Sequence, residues 1–215
     1  MYKSQSSMDL VQSGHQCSGN IDKLKHHYET VSVQYNKQVL KSGYVAPKNL
    51  VSFTKTFTVD SIPLTDLEIL DVGCGTGLVG IELYKHGFTK IDGIDLSIQM
   101  IKQADKLNIY RKLISDIDIQ VPNLAEKIGK YDLLVACGIF TLGHVVPESL
   151  YNLLACLKIT GLITLTARNS YANKYKFHEF ILDSEKKGIL QIVDYLPNQP
   201  YHDEKCEYWA LRPKN

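Results

Sequence analysis

The chain has 215 residues, 44% of them hydrophobic, enough for one domain with a sizeable core. Lys and Arg number 24 against 23 Asp and Glu, so no global field draws nucleic acid or an anionic membrane. Only Arg111, Arg168 and Arg212 carry the guanidinium preferred for phosphate, and the five cysteines form no C-x-x-C, which argues for a reducing compartment without disulfide framework or zinc.

Residues 1–20 are polar and read as a loose tail. They hold no apolar run, and no Arg precedes Arg111, so neither a secretory nor a mitochondrial address is expected. The expectation is a cytoplasmic protein, monomer or weak dimer, with no membrane or nucleic-acid partner. From Ile21 to about Lys41, Leu24, Tyr28, Val31 and Tyr35 recur at helical steps. A second helix is expected around Pro47, a good residue for a first helical turn. The stretch 21–60 is therefore expected as N-terminal lid helices, "SIPLTD" (61–66) as a connector, and 61–215 as the main domain.

Beyond the connector the period changes. "LEILDV" (67–72) reads as a strand, and a helix from about Gly77 to His86 follows, closed by Gly87. "KIDGID" (90–95) is a second strand, and Ser97 caps a helix running to about Leu107. "YRKLISD" (110–116) and "YDLLVAC" (131–137) are further strands. Pro147 opens a helix to about Leu157, "LITLTA" (162–167) is the fifth strand, and a helix is expected over Tyr171–Lys187. "ILQIVDYL" (189–196) and "CEYWALR" (206–212) close the chain with no helix between them. Alternating strands and helices give an α/β fold, a mostly parallel seven-stranded sheet. The last two strands read as an antiparallel hairpin at its edge.

The stretch "LDVGCGTGLVG" (70–80) holds the chemistry. Glycines let backbone approach a ligand closely, and the amides opening the next helix attract a negative group. From Gly75 it reads G-x-G-x-x-G, the pattern of a dinucleotide site. From Asp71 it reads D-x-G-x-G-x-G, which suits S-adenosylmethionine. An acid at Asp71 attracts an ammonium, directly or through water, and repels a pyrophosphate. Asp95, 18 residues after Gly77, is placed for ribose hydroxyls of either ligand. Met100 on the following turn can cover an adenine ring.

The run "LEILDVGCGTGLVGIELYKHG…IDGIDLSIQMIKQA" resembles the class I S-adenosylmethionine-dependent methyltransferases. With "YDLLVACGIFTLGHV" and "TARNSYANKYKF" it resembles the methyltransferase-like family named for the Williams–Beuren syndrome chromosome region, over roughly residues 24–196. The resemblance implies a Rossmann-like fold and S-adenosylmethionine as cofactor, with S-adenosylhomocysteine as product. It implies that Gly73, Gly75 and Gly77 hold the methionine end, Asp95 the ribose, and Met100, Asp116 and Ile117 the adenine; Asp116 also reads as a solvated loop acid, with Asp118 close by. Asp71 faces the ammonium, Cys137 lies near the sulfonium, and Tyr28 and Tyr35 sit on a lid. "KITG" (158–161) departs from the family's K-P-G-G, and "HYETVSVQYNKQ" (27–38) keeps the two tyrosines but not the family's acids and Trp.

Other residues carry two readings. His144 in "TLGHVVP" is a candidate base or a loop histidine bonded to backbone. Cys137 is a nucleophile or a small buried thiol, and nothing in the sequence offers it a base. Arg168 binds an anionic substrate or pairs with a nearby acid. Tyr175 is a candidate for the acceptor pocket. No His, Cys and carboxylate constellation suggests a metal. The expected reaction is methyl transfer to nitrogen or oxygen of a small molecule, or else of a protein side chain. A nicotinamide-dependent oxidoreductase and a non-catalytic cofactor binder are the alternatives; "YANKYK" (171–176) sets Lys174 at the wrong distance from Tyr171 for the former.

Overall fold

The computed structural model describes residues 17, 20–41, 43–58 and 62–214. The tail expected at 1–20 lies almost wholly outside them. Helix α1 (Ile21–Lys41) and helix α2 (Ala46–Lys55) precede the sheet. Then come β1 (Glu68–Val72), α3 (Leu78–Lys85), β2 (Lys90–Ile94), α4 (Ile98–Asp105) and β3 (Lys112–Ile114). A short helix α5 (Leu124–Ile128) leads into β4 (Tyr131–Phe140), α6 (Ser149–Leu154) and β5 (Leu157–Arg168). Helices α7 (Asn169–Tyr175) and α8 (Phe177–Lys186) and strands β6 (Leu190–Pro200) and β7 (Lys205–Pro213) complete the chain.

The seven strands lie in the order β3-β2-β1-β4-β5-β7-β6. β1 runs parallel to β2 and β4, and β4 parallel to β5. Only β7 is reversed, between β5 and the edge strand β6. The hairpin expected at the sheet edge is there, with its second strand on the inside.

Interior parallel strands are buried on both faces and read as continuous apolar runs. Alternate residues serve opposite faces. Leu70, Val72, Leu134 and Ala136 pack with Leu124, Leu150 and Phe177 of the helices on one side. Ile69, Leu133 and Val135 pack on the other side with Leu50 and Val51 of α2 and Val79 and Leu83 of α3. Asp92 breaks the apolar run of β2 and is matched on all sides. Arg111 bonds both its oxygens, from Nε and Nη2 at 2.9 Å each, and Tyr131 adds a hydroxyl at 3.1 Å. Such a bidentate pair offsets the cost of burying charge.

Two expectations are corrected. α2 is no lid: Ala46, Leu50 and Val51 are fully buried, and the Thr54 hydroxyl lies 2.6 Å from that of Thr164 on β5. Only α1 lies across the ends of the strands. The helix expected over 171–187 is two helices, because Lys176 takes a left-handed φ of 49° between them.

Candidate functional site

One cavity opens at the carboxyl ends of β1, β2, β4 and β5, the usual ligand position in an open parallel sheet. Its volume is about 1130 Å³ counting the part open to solvent. α1 roofs it through contacts to three different loops. Tyr28 reaches His144, Asn36 accepts a hydrogen bond from Thr76 in the glycine loop, and Lys25 pairs with Asp116.

The four glycines of the loop divide their work. Gly73 and Gly75 line the cavity, with φ of +64° and +53°. A Cβ at Gly75 would meet nothing within 4 Å, so its backbone faces open ligand space. Gly77 and Gly80 serve packing instead. Cβ atoms there would collide with Leu107 and with the Tyr110 hydroxyl, respectively. Gly77, expected to hold the methionine end, caps α3 and is not in the cavity wall.

Asp95 stands at the carboxyl end of β2, half-buried, and lines the cavity. Its Oδ2 accepts from the Gly75 amide and its Oδ1 from the Ser97 amide, both at 2.8 Å. Each oxygen keeps a lone pair for further donors. Burial pushes its carboxyl up to about 6, against the backbone amides that hold it down. Ser97 caps α4 by accepting from the Met100 amide, which fixes the turn that brings Met100 into the cavity wall.

Asp71 is not at the wall. It is fully buried behind the loop, and its Oδ2 accepts from the Tyr110 hydroxyl at 2.7 Å. Burial raises it to about 7, and its other oxygen lacks a hydrogen-bond partner. Asp71 therefore shapes the loop from beneath instead of meeting an ammonium directly. Asp116 is also displaced. It lies at the exposed surface, ion-paired with Lys25, and that hydrogen bond holds its carboxyl below the usual range. The acid that this loop places in the cavity wall is Asp118, beside Ile117 and Ile119. The sequence offered two acids two residues apart and no local signal to choose between them.

The remaining candidates separate in the same way. Tyr28, Tyr35 and Cys137 line the cavity. Burial raises the Tyr35 phenol and the Cys137 thiol to about 12 each, so Cys137 stays protonated and is no nucleophile. His144 is 9% exposed; its Nδ1 lies 3.1 Å from the Leu142 carbonyl and its Nε2 2.6 Å from the Tyr28 hydroxyl. A carbonyl only accepts, so Nδ1 carries a proton, and in the neutral ring Nε2 accepts from Tyr28. Arg168 lines the cavity but is paired twice, with Asp203 at 2.7 Å and with Glu204. It favours the reading of an arginine held by nearby acids. Tyr175 is not in the cavity; its ring packs 4.7 Å from that of Tyr171 on α7. His202, in the β6–β7 connection, lines the cavity and was missed, because only the folded hairpin carries it to the ends of β4 and β5. Among the described residues no three His, Cys, Asp or Glu side chains cluster to hold a metal, and no helix is long and apolar enough to cross a membrane.

These residues fit S-adenosylmethionine. The bare backbone at Gly75, the paired oxygens of Asp95 and the thioether of Met100 would offer it a cradle, a hydroxyl acceptor and an adenine cover within one cavity. Comparison with known proteins agrees. A methyltransferase domain model matches residues 70–163. The chain is 34% identical to methyltransferase-like protein 27 of Homo sapiens over 156 residues, 70% of this chain and 60% of that one. It thus spans about three fifths of the length of that curated relative. A TehB-like S-adenosylmethionine-dependent methyltransferase from Corynebacterium glutamicum superposes with a TM-score of 0.63 at 19% identity, covering 88% of this chain and 99% of that one. Magnesium protoporphyrin IX methyltransferase from Synechocystis, with bound S-adenosylhomocysteine, gives 0.55 at 17% identity over 78% of this chain and 84% of that one. At these identities the two structures speak for the fold.

Proposed function

We propose that this chain, which belongs to the class I S-adenosylmethionine-dependent methyltransferases, transfers a methyl group to nitrogen or oxygen of a small-molecule acceptor. The observation that carries the reading is the cavity itself. It brings Gly75, Asp95 and Met100 into one wall with Tyr35, Tyr44, Tyr201 and His202. The cofactor supplies the activated methyl on a sulfonium. The chain's residues bind, align and exclude water. Gly73 and Gly75 would pass the methionine end, Asp95 would accept from the ribose hydroxyls, and Met100, Ile117 and Asp118 would border the adenine. Alignment of the acceptor is the main catalytic lever in an in-line displacement.

A roof spanned by α1 favours a small acceptor, since a protein side chain must enter past Tyr28 and Tyr35. The test is incubation with labelled S-adenosylmethionine and separate pools of small metabolites and of proteins. Label in the small-molecule fraction is expected. Label only in protein would move the acceptor to a side chain. Calorimetry adds the cofactor arm: S-adenosylhomocysteine should bind, and binding of NAD in its place would overturn the reading.

A further inference from the structure

Cofactor binding as proposed uses the half of the cavity between Gly73 and Asp118. The other half is built at the ends of β4 and β5 and on the β6–β7 connection. Gly138 has φ of +84°, and a Cβ there would stand 2.8 Å from the Tyr201 hydroxyl and 3.3 Å from that of Tyr44. Both hydroxyls therefore lie against the β4 backbone, one residue from Ile139, whose side chain packs on Gly73. The second half thus begins where the methionine end of the cofactor would be held.

His202 lines this half, with its side chain 8% exposed. Neither ring nitrogen has an aligned hydrogen bond. Nδ1 stands at ion-pair distance, 3.3 Å, from Asp203 Oδ1. Nε2 is left without a partner, and in a cavity wall a ligand can supply one. The groups facing it are few. The Tyr44 ring centroid lies 6.4 Å away, Tyr201 precedes it, and Arg168 reaches Asp203 at 2.7 Å while covering the Tyr201 ring at 5.0 Å. Glu204 takes the other side of Arg168. Two carboxylates, Asp203 and Glu204, thus stand against the one guanidinium of Arg168 next to His202. The other groups of this region are poor proton acceptors. Burial holds Tyr44, Tyr201 and Cys137 protonated, and both ring nitrogens of His144 are engaged.

We propose that His202 Nε2 takes the proton released by the methyl acceptor, that Asp203 positions the ring, and that the acceptor carries a hydroxyl or a protonated amine. The inference rests on the methyltransferase reading above. The acceptor's oxygen or nitrogen lone pair forms the new bond to the methyl carbon. The carbon–sulfur bond breaks with its electron pair left on sulfur, which becomes a neutral thioether. A hydroxyl proton passes to His202 Nε2 during this step; an ammonium proton passes before it, freeing the lone pair. The imidazolium, steadied by Asp203, returns the proton to solvent after the products leave.

Sinefungin tests this without knowledge of the acceptor. It carries an amine-bearing carbon in place of the methyl sulfonium and so sets an ammonium at the transfer point. The wild-type chain should bind sinefungin more tightly than S-adenosylhomocysteine, because His202 Nε2 accepts from that ammonium; Asp95 and Asp118 act on parts common to both ligands and drop out of the ratio. In His202→Phe the preference should fall roughly tenfold, the size of a lost charge-assisted hydrogen bond. S-adenosylhomocysteine affinity should hold, which also reports an intact fold. In His202→Gln, which keeps a side-chain acceptor, part of the preference should survive. A preference unchanged in His202→Phe overturns the proposal. Failure of both ligands to bind the wild type overturns the methyltransferase reading with it.

Discussion

Tyr28 and His144 stand 116 positions apart, and the phenol oxygen of one lies 2.6 Å from Nε2 of the other. The contact ties α1 to the loop after β4. Because Nδ1 is committed to the Leu142 carbonyl, His144 meets Tyr28 as an acceptor. The histidine that the sequence marked as a candidate base is a latch in this arrangement. Tyr28→Phe removes the hydroxyl and keeps the ring, so it should weaken S-adenosylhomocysteine binding by about 0.5–1.5 kcal/mol. Thermal melting of the ligand-free chain should barely move. A large loss of unliganded stability, with affinity intact, would make the contact a core feature.

The same roof predicts a difference in dynamics. α1 adds nothing to the sheet, and its anchors Lys25, Tyr28 and Asn36 all reach loops that border the cavity. Ordering such a segment costs conformational entropy, which ligand contacts offset. Amide hydrogen exchange of Tyr28 to Lys41 should therefore slow when S-adenosylhomocysteine is bound, by population shift. α2, packed into the core, should exchange slowly in both states. Equal protection of α1 with and without ligand would rule out the lid.

Legibility in the sequence followed contiguity. β1, the glycine loop, Asp95, Ser97 and Met100 fall within about thirty residues, where spacing translates directly into turns, caps and strand ends. The places of Gly73, Gly75, Asp95 and Met100 in the cavity wall were readable, whereas Asp71 and Gly77 lie outside it. Asp116 was not, because its partner Lys25 lies 91 positions away and draws it to the surface. Tyr175 was misplaced because a left-handed Lys176 ends its helix early and turns the ring into the aromatic packing of α7. Gly77 and Gly80 looked like ligand glycines, yet Leu107 and Tyr110 occupy the space their side chains would need. His202 depends on a hairpin that doubles back, a relationship no local pattern expresses.

Asp95 should govern cofactor affinity and its pH dependence. Asp95→Ala removes a charged acceptor of ribose hydroxyls and should cost roughly 1–3 kcal/mol of S-adenosylhomocysteine binding. The carboxylate form is the better acceptor, and its carboxyl titrates at about 6 in the free chain. Affinity should therefore fall as pH drops through about 6. Calorimetry from pH 5 to 8 checks it, and Asp95→Asn should flatten the profile. An unaltered profile in that variant would assign the titration to another group.

Asp71 makes the last prediction, one of stability. It is fully buried with one oxygen unpartnered, and burial raises its carboxyl from 3.8 to about 7. Between those values the folded chain binds a proton that the unfolded chain has released. The sign follows from linkage: this group's contribution is most favourable below about 3.8 and is lost as pH rises to about 7. Asp71→Asn keeps an oxygen for the Tyr110 hydroxyl and removes the buried charge. It should stabilise the chain at pH 8 by roughly 1–3 kcal/mol, less than the full shift implies because the amide must find its own partners. Urea unfolding at pH 8 and pH 5 measures both variants. The gain should shrink at pH 5, where the wild-type carboxyl is already protonated in the folded state. A loss of stability at pH 8 would show that the charge is matched by the backbone around Gly80, and that Asp71 is held as an anion under the loop.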